Sequence, residues 1–152
     1  MTTSAPSPLR ILVVASDPTV LLATATALRE DGHEVVPAED GMAGLRLASS
    51  LPHVIIVDEQ LTDLAGRDVC RRLKTIPATA LIPVLQLAAP GSSSEANASG
   101  LDAAADGRLE HPIDAAQLRA AVAALAGHQR LSQVEELAGD LDAAAKAGGG
   151  LG

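Results

Sequence analysis

The stretch Pro52-His53-Val54-Ile55-Ile56-Val57-Asp58 decides the fold. Four consecutive β-branched residues leave no polar position for a wet face. The run therefore reads as a strand buried on both sides, as in a parallel sheet covered by helices. Its last residue, Asp58, then stands at the carboxyl end of a central strand, where open α/β sheets gather their sites.

Working outward, Ile11-Leu12-Val13-Val14 is a second run of the same kind. Asp17-Pro18 supplies a helix cap and a first-turn proline, Leu21, Ala25 and Leu28 recur at helical spacing, and Asp31-Gly32 stops that helix. Glu34–Ala38 reads as a short strand, followed by a helix with the stripe Gly44, Leu47, Ala48 and Leu51 after an Asp40 cap. Beyond Asp58 come a polar loop, a helix with Val69, Leu73 and Ile76 on its inner face, and a strand over Leu81–Ala88 with Pro83 near its start. A weaker strand at Arg108–Glu110 precedes a last helix marked by Leu118, Val122 and Leu125. Alternating units of this kind predict an α/β domain with a doubly wound, five-stranded parallel sheet.

Three segments fall outside that rhythm. Residues 1–9 read as a disordered N-terminus before a domain spanning residues 10–127. Pro90–Gly100 should carry the fourth helix, but Gly91-Ser92-Ser93-Ser94 favours a short, mobile one. The tail from His128 to Gly152 carries Leu131, Val134, Leu137 and Leu141 and a Gly148-Gly149-Gly150 end. It offers an apolar seam too short for an independent coiled coil, suited equally to docking on its own domain or to dimerisation.

Composition narrows the functions. The chain of 152 residues has a formal net charge of −8 and no aromatic residue, which disfavours phosphate neutralisation and base stacking, so no direct nucleic-acid partner is expected. No apolar run approaches the ~20 residues needed to span a bilayer, and Met1–Pro8 has no signal-peptide pattern, so a cytoplasmic protein without a membrane contact is expected. A single cysteine excludes an intramolecular disulfide and a Cys-based metal cage. Cys70 reads as a buried small hydrophobe, His33 and His53 as surface residues, and Arg71-Arg72 as a solvated helix face.

Three stretches in register carry a family resemblance. Val54–Asp58 with the following Gly66–Lys74, Ile82–Ala89, and Gly100–Asp106 with Leu109–Asp114 together resemble the receiver domain of bacterial two-component response regulators, over roughly residues 10–126. The resemblance implies a flavodoxin-like receiver fold with Asp58 at the phosphoacceptor position. It also implies a Mg²⁺ ion held by an acidic pair, by Asp58 and by the backbone carbonyl of Gln60. The acidic pair falls on Ala15 and Ser16, the switch hydroxyl on Ala88, the conserved-type lysine on His111 and the switch aromatic on Arg108. Asp17, one residue beyond the pair, reads as a helix cap before it reads as a displaced ligand.

These departures predict a stand-alone, degenerate receiver (pseudo-receiver) that is not an enzyme and has no cofactor. It would signal through a protein partner, such as a histidine kinase or an output protein, and Mg²⁺ would be weakly held at most, through Asp58 and Asp17. Its working surface would be the fourth-helix, fifth-strand and last-helix face or the tail, either of which also offers a homodimer contact. Residues 128–152 are too few for a helix-turn-helix output unit. The alternative is a functional phosphorelay receiver in which a histidine kinase phosphorylates Asp58 and Mg²⁺ is needed. An unrelated α/β enzyme has neither a nucleophile–base pair nor a cofactor loop behind it. His111 reads first as a solvated loop residue before a proline, with a pairing to Asp58 across the pocket as the alternative.

Overall fold

A computed structural model describes residues 8–89 and 105–127. The elements run β1 (Arg10–Val14), α1 (Pro18–Glu30), β2 (Glu34–Ala38), α2 (Gly41–Leu47), β3 (Val54–Asp58), α3 (Gly66–Thr75), β4 (Val84–Ala88), β5 (Gly107–Glu110) and a helix over 115–127, here α4. All strand pairings are parallel and the order across the sheet is β2-β1-β3-β4-β5, the flavodoxin-like arrangement. The expected fourth helix over Pro90–Gly100 and the tail from His128 lie outside the described residues.

Alternate side chains of the central strands feed two cores. Ile11, Val13, Val54, Ile56, Leu85 and Leu87 pack beneath α1 and α4. Leu12, Val14, Ile55, Val57 and Val84 pack beneath α2 and α3. Local chemistry sets the helix limits. Asp17 accepts the Thr19 N–H at 2.8 Å to open α1, and Gly32 closes it at φ 89, a left-handed conformation that glycine adopts without strain.

The periodic reading overran at three places. The α2 helix stops at Leu47 and gives way to one 3-10 turn, Ala48–Ser50, so Leu51 leaves the apolar stripe and is exposed in a left-handed conformation. Ile76 is the C-cap of α3 and turns away from the inner face held by Val69 and Leu73. β4 begins at Val84, after Pro83, which has no N–H for a ladder, and Leu81 stays outside the sheet.

Two further readings change. Leu9 is buried in the first core, so order begins before residue 10. The His33 side chain is only 6% exposed because its Nδ1 accepts the Leu9 N–H at 3.1 Å. His53 is exposed, and Cys70 is buried.

Candidate functional site

The carboxyl ends of β1, β3, β4 and β5 converge on Asp58. Its side chain is 5% exposed, held at the end of a strand in which every residue is buried. The backbone returns over it tightly, with the Gly66 N–H donating to the Glu59 carbonyl at 3.0 Å. A β-carbon on Gly66 would lie against the Asp58 carbonyl oxygen and 2.7 Å from the Glu59 Cα, so this loop closes only over glycine.

His111 follows β5, and its N–H donates to the Ala88 carbonyl at 2.9 Å. That bond aims the imidazole at the pocket, where Nε2 lies 3.3 Å from Asp58 Oδ1. The Gln60 N–H also points at Asp58 Oδ1, at 3.5 Å. The structure therefore brings Asp58, the Gln60 amide and His111 together, so His111 takes the pairing rather than the solvated-loop reading.

The end of β1 faces this group without a carboxylate. Ala15 is fully buried. The Ser16 hydroxyl donates to the Glu39 carbonyl at 2.7 Å and accepts the Thr62 N–H at 3.0 Å, which commits it to its own neighbours. The Asp17 carboxylate is exposed and caps α1. Among the described residues no group of three or more His, Cys, Asp or Glu side chains is arranged to hold a metal ion.

At the switch positions, Ala88 is buried and has no hydroxyl. The Arg108 side chain is folded inward, 13% exposed, with its guanidinium 4.0 Å from Glu59 Oε1. The other oxygen of Glu59 accepts the Ala89 N–H at 2.8 Å. Glu59 thus joins the ends of β3, β4 and β5, a role the sequence reading missed. Its signal was an acid directly after Asp58 combined with a cation at the aromatic position.

Asp63 was also missed. Its carboxylate accepts the N–H groups of Gly41 at 2.8 Å and Met42 at 2.9 Å, which fastens the loop after β3 to the start of α2. The Met42 and Gly41 hydrogen bonds stabilise the charged form and hold the Asp63 pKa below the ordinary carboxylate value of 3.8, against a smaller desolvation effect.

A parallel sheet in this order, with a buried aspartate at the end of β3 and a His–Pro turn after β5, defines a flavodoxin-like α/β domain with an acidic site at the carboxyl ends of its strands. The family model of the response regulator receiver domain matches residues 11–123, and the chain belongs to that family. It is 38% identical over 117 residues to the DNA-binding dual master transcriptional regulator RpaA of Synechocystis, covering 76% of this chain and 48% of that protein. It is 37% identical over 119 residues to the response regulator MprA of a Mycobacterium species, covering 78% of this chain and 50% of that one. The chain spans about half the length of these relatives. A solved response regulator receiver domain protein from Clostridium thermocellum superposes with a TM-score of 0.72 at 28% identity, over 80% of this chain and 97% of that one. Among the described residues no helix is long and apolar enough to cross a membrane.

Proposed function

We propose that this receiver domain works as a cytoplasmic protein–protein signalling module without regulated, Mg²⁺-dependent phosphorylation of Asp58. The observation that carries this reading is the end of β1, where buried Ala15 and the committed hydroxyl of Ser16 stand in place of two carboxylates. Mg²⁺ demands a near-octahedral set of oxygens, usually anchored by one or two carboxylates. Here Asp58 and the Gln60 carbonyl remain, with Asp17 occupied as a cap, so the residues do not fit the two-acid site of the family. At the switch positions, Ala88 has no hydroxyl to meet a phosphoryl oxygen, and Arg108 lies inward beside Glu59.

The test is incubation with acetyl phosphate and Mg²⁺ followed by phosphate-affinity electrophoresis. The reading expects no shifted band, and a partner that binds wild type and Asp58→Ala equally. The second reading, a working phosphorelay receiver with a histidine kinase as donor, draws on the placement of Asp58, buried at a strand end with His111 within reach. A base-labile band that disappears in Asp58→Ala would establish it. DNA-linked output, as in the name of the Synechocystis relative, is a further proposal for any longer protein of which this domain is a part.

A further inference from the structure

Three large apolar side chains are exposed at the pole opposite Asp58. Leu51 precedes β3 and is 55% exposed, while Ile76 and Leu81 precede β4 and are 41% and 84% exposed. The loops that carry them are neighbours, because the Ile55 N–H donates to the Pro83 carbonyl at 3.0 Å. Leaving three such side chains in water at one pole forgoes burial energy that an apolar partner would recover.

The last described helix ends at the same pole. Near its end, Leu125 lies within 3.5 Å of where a β-carbon on Gly107, the first residue of β5, would sit. The Asp106 N–H donates to the Val84 carbonyl at 2.8 Å, so the start of β5 lies beside the start of β4 and hence beside the Leu81 loop. The chain leaving residue 127 thus starts at the pole that carries these side chains, beside the starts of β5 and β4.

The sequence of that continuation is complementary. At 100° per residue, Leu131, Val134, Leu137 and Leu141 fall within a single apolar arc of a helix, with Glu135, Glu136, Asp140 and Asp142 outside it. Such a helix rises about 15 Å from Leu131 to Leu141, enough to cross the ends of β5, β4 and β3 at ~4.8 Å spacing. Exposed Arg72, one turn before Ile76, supplies positive charge beside the patch for the acids.

We infer that residues 131–141 dock on this pole of their own domain, covering Leu51, Ile76 and Leu81. The interaction surface thereby becomes a built-in site for an amphipathic acidic helix, which a partner's helix of the same chemistry would have to displace.

The test uses the full chain as Cys70→Ala/Gln133→Cys carrying a nitroxide on the tail's polar side. Amide signals of Leu51, Ile76 and Leu81 should lose most of their intensity, and adding Leu137→Asp should restore it. Selective loss at Leu22 and the outer face of α1, or no selective loss, overturns the inference. So does loss that appears only on isotope-labelled chains without nitroxide in a mixture with nitroxide-bearing ones, because the tail would then be docking on a second copy.

Discussion

Nε2 of His111 lies 3.3 Å from Oδ1 of Asp58. The carboxylate at the phosphoacceptor position thus has an imidazole as its neighbour, where the family pattern places a lysine, and no acid faces it from β1. If these substitutions silence the pocket, reversing them should revive it. The combination Ala15→Asp, Ser16→Asp, Ala88→Thr and His111→Lys is expected to gain at least about tenfold in Mg²⁺ affinity over wild type, ~1.4 kcal/mol. Isothermal titration of both proteins with Mg²⁺ checks this, and equal heats would show that the lost groups are not what limits metal binding.

Gly66 sets how closely the loop after β3 lies on Asp58. Gly66→Ala forces a methyl against the Asp58 carbonyl and the Glu59 Cα, where backbone must move. A loss of roughly 1–3 kcal/mol is expected, as for overpacked sites. Urea denaturation at neutral pH measures it, and an unchanged midpoint would mean that the loop is not held as closely as the structure places it.

Asp63 gives the domain an acid-sensitive fastening. Its folded pKa lies below its ordinary value of 3.8, so the folded state favours the charged carboxylate more than the unfolded chain does. The stabilisation is therefore present in full above 3.8 and is lost as pH falls through the lower folded value. Wild type should be more stable than Asp63→Ala at pH 7, and the gap should narrow in acid. A gap that stays constant from neutral pH down to about 2 would contradict a contribution from the charged form.

Lys74 joins three elements at the other pole. Its Nζ donates to Asp106 Oδ2 at 2.7 Å and to the Ile82 carbonyl at 2.8 Å, while Asp106 Oδ2 also accepts the Val84 N–H at 2.8 Å. Asp106→Ala leaves that ammonium and that N–H without their common acceptor, at an expected cost of about 1–3 kcal/mol. Lys74→Met/Asp106→Ala should cost less than the sum of the single changes, and strict additivity in thermal melts would show that the two do not act together.

The fold was legible because its signals are local. Val54–Val57 and Ile11–Val14 announce buried strands, and Asp17-Pro18 and Gly32 punctuate a helix within a few residues. The positions of Asp58, Gln60 and His111 were legible for a related reason, since each stands at or just after a readable strand end. What escaped depends on contacts distant in sequence. Asp63 acts on amides 21 and 22 residues away, and Glu59 on an amide 30 residues away. Nothing near His33 indicates that it accepts the Leu9 N–H, 24 residues earlier. Leu51, Ile76 and Leu81 were misassigned because apolar periodicity continued past the backbone's actual stops, and the same side chains now form the exposed pole.

The most direct test of the central claim is an amide NMR titration of the full chain with Mg²⁺ and then beryllofluoride, an acyl-phosphate mimic, beside Asp58→Ala. The account predicts the same small shifts in both proteins, with nothing saturable around Asp58, Gln60 and His111. Saturable shifts in wild type alone, spreading from Asp58 to Glu59 and Arg108, would contradict it and make the domain a conventional phosphorylated receiver.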